Sequence, residues 1–265
     1  MLALIAGSGR LPAALLAELD SAPLMICALE GFVPDGVPVD LNFRIETLGS
    51  LLLQLREKGV TGVCMAGAIE RPAIDPSKID AATMPLVPVM QQALAAGDDG
   101  ALRAVITIFE QAGFAVQAAH DIAPNLLPDV GCMTHAQPSD QAHLDAARGQ
   151  RIVDAMASID VGQCCSVHKG QALSVEGVFG TDWMLQSLTF RPDGTGGLFY
   201  KAPKSGQDLR ADLPTIGVET VQYVADAHLD GLVIEAGGVM VLDLAQVIAE
   251  CDRQGLFLWV RERDA

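Results

Sequence analysis

The side chains best suited to phosphate chemistry are concentrated in residues 201–219. Lysine and arginine neutralise phosphate oxygens, and aspartates supply the hard oxygen ligands that Mg²⁺ prefers. The segment contains three cations, two aspartates and one glutamine, namely Lys201, Lys204, Arg210, Asp208, Asp212 and Gln207. In an extended segment, Asp208, Arg210 and Asp212 would point to one side. The composition therefore predicts a site for a diphosphate and a metal ion, and the alternative is a charged loop with internal salt bridges.

The overall charge excludes one class of phosphate partner but not another. The chain has 265 residues, of which 33 are acidic and 17 are basic, so its net charge is −16. Proteins that bind nucleic acid gain much of their affinity by neutralising phosphates, so we expect no nucleic-acid partner. Because the chain is so acidic, the cations of residues 201–210 are unlike a general solvated face. They fit a single diphosphate held in a pocket.

A glycine-rich turn, Gly7-Ser8-Gly9-Arg10, stands between the first apolar run and the first helical stretch. At the carboxyl end of a strand, free backbone N–H groups and the start of a helix favour an anion, and glycines let a phosphate approach closely. The third glycine of a dinucleotide-binding fingerprint is replaced by Pro12. The pattern predicts phosphate binding, and an ordinary strand-to-helix turn is the alternative.

Two other segments carry charged residues at positions suited to a ligand. Arg71 follows a predicted strand at residues 62–66, and its guanidinium suits either a bidentate phosphate contact or a surface carboxylate. Asp98 and Asp99 precede a helix that we expect to begin near Ala101. An aspartate at that place is commonly a helix N-cap, and a contact with ribose or metal is the alternative.

Several polar residues elsewhere in the sequence have two interpretations, as part of a functional site or as structural residues. Glu235 interrupts an apolar stretch, which is more suggestive than a carboxylate on a helix surface. Glu176 and Asp182 flank a predicted polar turn after a strand, where they shape a site or end an element. The five histidines lack zinc-site spacing. The six cysteines include no CxxC pair, so we expect reduced, partly buried thiols.

The hydrophobic pattern of the first half predicts strands alternating with helices. Strands are expected at residues 2–6, 23–29, 62–66 and 114–118, and helices at residues 11–19, 48–55 and 101–112. Such alternation is typical of parallel strands joined by crossover helices. We therefore predict an N-terminal Rossmann-like domain, with a parallel sheet covered by helices, over residues 1–130.

The second half has shorter strands and denser glycine punctuation. Pro, Gly, Asp, Gln and His collect around residues 128–145, which predicts a linker at residues 131–144. Strands are expected at residues 164–167, 172–178, 197–200, 231–234 and 239–242, helices at residues 145–158 and 244–253, and a short apolar run at residues 256–260 follows the last helix. We predict a C-terminal mixed α/β domain over residues 145–265. The fold class is α/β in both domains.

The apolar segments are too short to cross a membrane. The longest run without a charged residue, at residues 81–97, is interrupted by two prolines and two glutamines, and a spanning helix needs about 20 mostly apolar residues. The first residues have no cationic region before their apolar run, which predicts a strand and not a signal peptide. We expect a cytoplasmic protein.

These blocks together resemble the UDP-2,3-diacylglucosamine pyrophosphatases of the lipid A pathway, of the two-domain type. The resemblance extends over nearly the whole chain, and the run from Gln207 to Pro214 is its most specific part. The matching blocks lie at residues 4–12, 67–72, 97–100, 160–163, 175–182, 201–217, 235–238 and 255–257. The strand Cys164-Cys165-Ser166 and the linker depart from the family pattern.

The resemblance implies a hydrolase that depends on Mg²⁺ (or Mn²⁺). Its substrate would be UDP-2,3-diacylglucosamine, and its products UMP and 2,3-diacylglucosamine 1-phosphate, known as lipid X. The family also implies a C-terminal catalytic domain, a homodimer and transient contact with the cytoplasmic face of the inner membrane. This fits the residues, because phosphoryl chemistry needs charge neutralisation and positioning more than a protein nucleophile.

The resemblance also assigns roles to residues of this chain. The essential aspartate of the family corresponds to Asp212, as metal ligand or base, and Asp208 is the expected second ligand. Lys204 is the third expected catalytic residue, beside Asp212 and Asp208, and would neutralise the diphosphate. The expected substrate-binding residues are Gly7, Ser8, Gly9, Arg10, Arg71, Asp98, Asp99, Lys201, Gln207, Arg210, Thr215 and Glu235.

Two functions of other classes are weighed against this one. A Rossmann-type sugar-nucleotide transferase or oxidoreductase would use the N-terminal domain and would copurify with a cofactor. A non-enzymatic sensor of a nucleotide-linked lipid would bind the same molecule without turning it over. The cations and aspartates of residues 201–212 favour the hydrolase over the sensor.

Overall fold

A computed structural model describes residues 1–19, 24–70, 73–95, 98–192, 194–210 and 213–264 of the chain. The chain divides into two compact units. The N-terminal unit comprises Met1–Pro124 together with Asp208–Asp212, and the C-terminal unit comprises Asn125–Gln207 and Leu213–Ala265. The segment Asp208–Asp212 therefore belongs to the N-terminal unit although both of its flanks belong to the other.

The N-terminal unit is built on a five-stranded sheet. Its strands are β1 (Leu2–Ala6), β2 (Leu24–Leu29), β3 (Leu41–Phe43), β4 (Gly62–Ala66) and β5 (Ala115–Gln117). They pair in the order β3-β2-β1-β4-β5, and every pair is parallel. Because the strand order reverses between β1 and β4, the carboxyl ends of these two strands flank the place where Rossmann-like sheets bind ligands.

Helices cover this sheet. They are α1 (Leu11–Glu18), α2 (Leu48–Glu57), α3 (Val87–Ala95), α4 (Asp98–Gln111) and α5 (Ala119–Ile122). Leu51 and Leu55 of α2 and Phe109 of α4 are buried in one cluster with Ala3 and Ile5 of β1. Alternate β1 residues point to the opposite face, because side chains alternate along a strand. The predicted Rossmann-like layer structure is confirmed.

The C-terminal unit contains a mixed six-stranded sheet and a short two-stranded one. The strands are β6 (Gly131–Cys132), β7 (Cys164–His168), β8 (Gln171–Val175), β9 (Leu198–Lys201), β10 (Thr215–Ile216), β11 (Gly231–Glu235), β12 (Met240–Val241) and β13 (Phe257–Arg261). The large sheet has the order β6-β13-β11-β9-β7-β8, and β10 pairs with β12. Strands β9, β11 and β13 are parallel, whereas β7 runs antiparallel to β9. The predicted mixed α/β class is confirmed.

Helices lie on both faces of the six-stranded sheet. They are α6 (Asp140–Ala157), α7 (Gly180–Ser187), α8 (Val218–Asp226) and α9 (Leu244–Gln254). Val153 of α6 is buried with Tyr200 and Val233, whereas Leu185 of α7 is buried with the neighbouring strand residue Phe199. Consecutive residues of β9 are thus buried on opposite faces of the sheet. The unit therefore has three layers, which are helix α6, the sheet, and helices α7 to α9.

The predicted elements differ from the structure mainly at their ends, and the helices α3, α5, α7 and α8 were not predicted. Helix α4 begins at Asp98 instead of near Ala101, and α6 begins at Asp140 instead of residue 145. Strand β8 ends at Val175, three residues early, and the expected polar turn at residues 177–182 leads into α7 at Gly180. The short strands β3, β6 and β10 were not predicted, because runs of two or three residues have no measurable periodicity, whereas β5 and β12 lie within the strands predicted at residues 114–118 and 239–242.

The cysteines are free thiols in this fold. Five of them are buried and Cys132 is half-buried. Burial raises the pKa of both Cys27 and Cys64 to about 12. None of the helices within the described residues has both the length and the hydrophobicity needed to span a bilayer.

Candidate active site

Lys201 is the last residue of β9, and Glu235 is the last residue of the neighbouring parallel strand β11. Cys164, the first residue of the antiparallel strand β7, lies opposite Lys201 in the register. Charged side chains therefore collect at the carboxyl ends of β9 and β11, the edge at which α/β sheets bind ligands. The sequence had singled out Lys201 and Glu235 separately. The sheet order brings their strand ends together, but the register pairs Lys201 with Ile234, so the Glu235 side chain points to the opposite face of the sheet.

Lys201 is a buried cation whose two direct hydrogen-bond partners are neutral. It is 6% exposed, and its Nζ donates to Thr181 Oγ1 at 3.0 Å and to the backbone oxygen of Thr215 at 3.1 Å. No carboxylate among the described residues forms an ion pair with it. Burying a charge without a counter-charge is costly. A lysine ammonium has three N–H donors, and the described residues accept two of them, so the arrangement favours an anion beside the third.

Thr181 and Glu176 extend this hydrogen-bond network. The Thr181 hydroxyl lies 2.7 Å from Glu176 Oε1, and Glu176 Oε2 accepts the backbone N–H of Gln163 at 2.7 Å. Glu176 is 8% exposed. The sequence indicated a turn at these positions but did not place Thr181 among the site residues. Its contact with Lys201 depends on how α7 begins beside β9, which no local spacing reveals.

Lys204 has a different environment from Lys201. Its Nζ lies 2.5 Å from Asp160 Oδ1, and its backbone N–H donates to Gln207 Oε1 at 3.0 Å. Asp160 follows α6 in the left-handed region, with φ of 53°. The Lys204 charge is therefore compensated within the protein, and Gln207 closes the turn that follows it. These two predicted site residues are near each other in the same loop.

Asp208 and Arg210 form a tight ion pair in the segment Asp208–Asp212. Arg210 Nε donates to Asp208 Oδ1 at 2.9 Å, and Nη2 donates to Oδ2 at 2.7 Å. These hydrogen bonds hold the pKa of Asp208 below its usual range, against the opposing effect of burial. Arg210 Nη1 also lies 2.7 Å from Glu110 Oε1 on α4, and both carboxylates raise the pKa of Arg210.

A metal ion finds few preformed ligands in the described part of the chain. Within it, no group of three or more histidine, cysteine, aspartate or glutamate side chains is placed to hold one. Both oxygens of Asp208 already accept hydrogen bonds from Arg210. Asp212, the other expected ligand, lies outside the described residues. The described residues alone therefore do not form a Mg²⁺ site.

The remaining C-terminal candidates have structural partners. Glu235 Oε2 lies 2.8 Å from Arg263 Nη1, and burial raises the pKa of Glu235 although Arg263 opposes that shift. The turn after Glu235 lies against Pro203, since a Cβ on Gly238 would be 2.6 Å from the Pro203 ring. Thr215 contacts Lys201 through its backbone oxygen, while its hydroxyl donates to Leu213 at 3.2 Å.

In the N-terminal unit, the turn after β1 forms backbone hydrogen bonds with the end of β4 and the segment that follows it. The Gly7 N–H donates to Ala66 O at 2.8 Å, and the Ser8 N–H donates to Ala68 O at 2.9 Å. Gly9 has φ of 92° and leads to the exposed Arg10 just before α1. An anion at this turn would therefore use donors other than the N–H groups of Gly7 and Ser8.

Three of the predicted substrate-binding residues cannot be placed as side chains. Arg71 lies outside the described residues, and so does Gly97. Asp98 and Asp99 form the first turn of α4, and the structure describes their backbone only. A carboxylate in the first turn of a helix interacts favourably with the helix dipole. Their role toward a ligand stays a prediction.

The fold and these contacts define an α/β protein with a buried lysine at the carboxyl end of a strand in its C-terminal sheet. The LpxI N-terminal domain family matches residues 1–126, and the LpxI C-terminal domain family matches residues 129–259. UDP-2,3-diacylglucosamine pyrophosphatase LpxI of Caulobacter vibrioides is 34% identical over 269 residues, which cover 97% of this chain and 96% of that protein. The chain therefore belongs to the LpxI family and is an enzyme, a hydrolase. The resemblance found in the sequence is confirmed.

Proposed function

We propose that this enzyme hydrolyses the diphosphate of UDP-2,3-diacylglucosamine in lipid A biosynthesis. Water would add across the phosphoanhydride bond and release UMP and 2,3-diacylglucosamine 1-phosphate (lipid X). The name of the Caulobacter vibrioides relative supports the substrate. The buried Lys201, which forms no ion pair with a carboxylate of the described residues, is the structural observation that carries the proposal, because a substrate diphosphate would supply a direct counter-charge.

The proposed work of Lys201 is to hold and neutralise a diphosphate oxygen. Its third N–H would donate to that oxygen, and the low exposure of the site would strengthen the attraction. Negative charge on the phosphoryl oxygens is stabilised by fixed cations during the transfer. Lys204 adds positive charge on the same loop, although Asp160 compensates part of it. Arg210 would contribute in the same way once a substrate competes with its carboxylate partners.

We assign the aspartates by their match to the family. Asp212 is proposed as base or metal ligand. Asp208 is proposed as its assistant, and its direct role in this structure is to hold Arg210 through two hydrogen bonds. The turn Gly7-Ser8-Gly9-Arg10, with Arg71, Asp98 and Asp99, is proposed as an anion and nucleotide contact of the N-terminal unit. Glu235 would act through Arg263.

We propose a requirement for Mg²⁺, for which Mn²⁺ would substitute. Such an ion neutralises phosphate charge and polarises phosphoryl oxygens when it is bound. Because the described residues do not form the site, most of its ligands would be substrate oxygens, water and Asp212. Mg²⁺ commonly binds proteins in this manner, through one or two carboxylates together with substrate phosphates. Full activity in the presence of EDTA would contradict this requirement.

The decisive experiment is incubation of the pure protein with UDP-2,3-diacylglucosamine and Mg²⁺, followed by chromatography for UMP. We expect UMP release, a loss of about 100-fold or more in kcat/KM for Lys201→Met, and partial retention for Lys201→Arg. Lys58→Met removes an exposed lysine at the end of α2 and serves as the matched control with unchanged activity. Absence of UMP with the parent protein would overturn the proposal.

A companion variant tests the central aspartate. Asp212→Ala should abolish UMP release while the folded protein keeps its circular dichroism spectrum. If Asp212→Ala released UMP at the parent rate with Mg²⁺ present, the role of Asp212 would be wrong. The same assay separates the other two classes. A sensor would bind the substrate without release of UMP, and a transferase or oxidoreductase would carry a cofactor visible by absorbance or mass spectrometry.

We further propose a weak, substrate-led contact with the cytoplasmic face of the inner membrane. Val178, Phe179 and Trp183 are 91%, 69% and 57% exposed, and the two aromatic rings are 5.1 Å apart. They surround Thr181 in the sequence, so this apolar patch adjoins the Lys201 network. The net charge of −16 opposes strong attraction to anionic lipid. Tight, salt-sensitive sedimentation with phosphatidylglycerol vesicles in the absence of substrate would contradict this contact.

The proposed assembly is a homodimer. Sedimentation equilibrium of the full chain measures its mass in solution, and 27.8 kDa is the mass of one chain. A mass of twice this value is expected over the concentrations used for the assay. A single-chain mass at those concentrations would exclude the dimer.

A further inference from the structure

The Thr181 hydroxyl has three partners, and together they use its whole hydrogen-bonding capacity. A hydroxyl has one proton to donate and two lone pairs to accept with. Lys201 Nζ lies 3.0 Å from Oγ1, and the Cys164 thiol donates to the same oxygen at 3.6 Å. Lysine cannot accept, so the hydroxyl proton is directed to Glu176 Oε1 at 2.7 Å. The direction of every hydrogen bond in the network is therefore determined.

The Cys164 thiol keeps its proton in this network. Burial raises the pKa of Cys164 well above its usual value, and the nearby Glu176 carboxylate adds to this effect. A protonated thiol is a donor, so it occupies one lone pair of Thr181 and leaves the other for Lys201.

Glu176 is itself held rigidly. Its Oε2 accepts the Gln163 N–H at 2.7 Å, and its backbone N–H donates to Cys164 O at 3.0 Å. The backbone of Gly162 also packs closely against Glu176, since a Cβ on Gly162 would lie 2.5 Å from the backbone carbonyl oxygen of Glu176. Because Oε2 is occupied by the Gln163 N–H, Oε1 is the carboxylate oxygen that accepts the Thr181 hydroxyl proton.

We infer that Thr181 and Glu176 are positioning residues that orient the Lys201 ammonium toward the diphosphate. Glu176 takes the Thr181 proton, Thr181 therefore presents a lone pair to Lys201, and the Thr215 oxygen takes a second N–H. With two tetrahedral directions fixed, the third N–H of Lys201 can point in one direction only. The identity of the anion rests on the proposed function, whereas the orientation of the ammonium does not.

A double-mutant cycle tests this inference, because residues that act through one another are not additive. The proteins are the parent, Thr181→Val, Lys201→Met and the double variant, and Thr181→Ser is the conservative control. Thr181→Val keeps the volume and removes the hydroxyl. We expect a loss of about tenfold in kcat/KM for Thr181→Val, near-parent activity for Thr181→Ser, and no further loss when Thr181→Val is added to Lys201→Met.

Affinity for inorganic pyrophosphate, measured by calorimetry, gives a second readout that does not require turnover. Thr181→Val should weaken binding by about tenfold, and Thr181→Ser should not. Glu176→Gln tests the same relay from its other end and should weaken binding as well, because an amide can donate to Thr181 and reverse the hydroxyl. Thermal midpoints measured for all variants identify any that are unfolded, and in that case Glu176→Gln replaces Thr181→Val in the cycle.

The outcomes separate this inference from the proposed function. If the parent releases no UMP, the proposed function fails and the pyrophosphate affinities alone decide the inference. Parent-like activity and affinity of Thr181→Val would overturn the inference. The proposed function would still stand in that case if the parent protein releases UMP. Equal losses from Thr181→Val with and without Lys201 would also overturn it, because Thr181 would then act independently of that lysine.

Discussion

Gly7 and Gly67 lie in contact at the carboxyl ends of the two central strands of the N-terminal sheet. A Cβ on Gly67 would be 2.7 Å from the carbonyl carbon and oxygen of Gly7, and a Cβ on Gly7 would be 2.7 Å from the carbonyl carbon of Gly67. These distances are shorter than any real Cβ contact. The close approach of the two backbones therefore accounts for glycine at both positions, one in the turn predicted to bind phosphate and the other in the turn that leads to Arg71.

Gly7→Ala should destabilise the N-terminal unit. The added Cβ would also lie 2.5 Å from the Ala68 oxygen, and backbone atoms cannot yield as a side chain can. We expect a loss of about 3 kcal/mol in the free energy of unfolding, measured by urea denaturation. Gly62→Ala is the control in the same sheet, because its Cβ would meet nothing nearer than 3.5 Å. Equal stability of the two variants would refute the close crossing.

The ion pair between Asp208 and Arg210 predicts a pH-dependent contribution to stability. A carboxyl whose pKa is lowered by folding stabilises the protein above its unfolded pKa, near 4, and this contribution is lost as pH falls through the folded pKa. Because Arg210 is 39% exposed, solvent screening limits the effect to about 1 kcal/mol.

We therefore expect Arg210→Gln to lower the free energy of unfolding at pH 7 and to differ less from the parent at pH 3. Urea denaturation at the two pH values measures the difference. Arg253→Gln breaks a more exposed pair with Glu250 on α9 and should cost less at pH 7. A constant difference between Arg210→Gln and the parent from pH 7 to pH 3 would exclude the pair as its source.

Thiol labelling should distinguish Cys132 from the other cysteines. Cys132 is half-buried, whereas the remaining five are buried and their thiols are shielded from reagent. At pH 8 we expect Ellman's reagent to react rapidly with at most one thiol per native chain, and with six in denaturant. Cys132→Ser should remove the rapid phase. Rapid reaction of several native thiols would contradict the packing of the two cores.

Asp145 on α6 stabilises the turn between β7 and β8. This buried carboxylate accepts the N–H groups of Lys169 at 2.9 Å and Gly170 at 2.6 Å, and both turn residues have positive φ. Such φ values are typical of the tight turn of a two-residue hairpin. Asp145→Asn should lower the free energy of unfolding by about 2 kcal/mol, because one N–H loses its acceptor. Asp140→Asn, at the exposed start of α6, should cost less than about 0.5 kcal/mol.

The order of elements could be predicted from the sequence where periodicity was long enough to measure. Strands β1 and β4 have the predicted bounds, and α1, α2 and α9 are within two residues of theirs. The network of Lys201 could be predicted only in part. Lys201 stands out as a cation in a block that resembles a family, but Thr181 is 20 residues away and meets it through the β7–β9 register and the start of α7.

The segment around Asp208 shows the same limit. Alternation placed Asp208 and Arg210 on one side, and the two side chains do meet. Their geometry arises in a turn and not in an extended strand, and the third partner, Glu110, is 100 residues earlier in the chain. Long-range partners of this kind depend on tertiary packing, about which local spacing carries no information.

The membership of Asp208–Asp212 in the N-terminal unit limits how the protein can be taken apart. A fragment that stops at Pro124 keeps Glu110 but lacks Arg210, and a fragment that starts at Asn125 carries the segment away from the unit to which it belongs. Independent expression of the halves would therefore separate Arg210 from Glu110, two residues that the folded chain joins, so a fragment of the N-terminal unit should carry residues 208–212 with it.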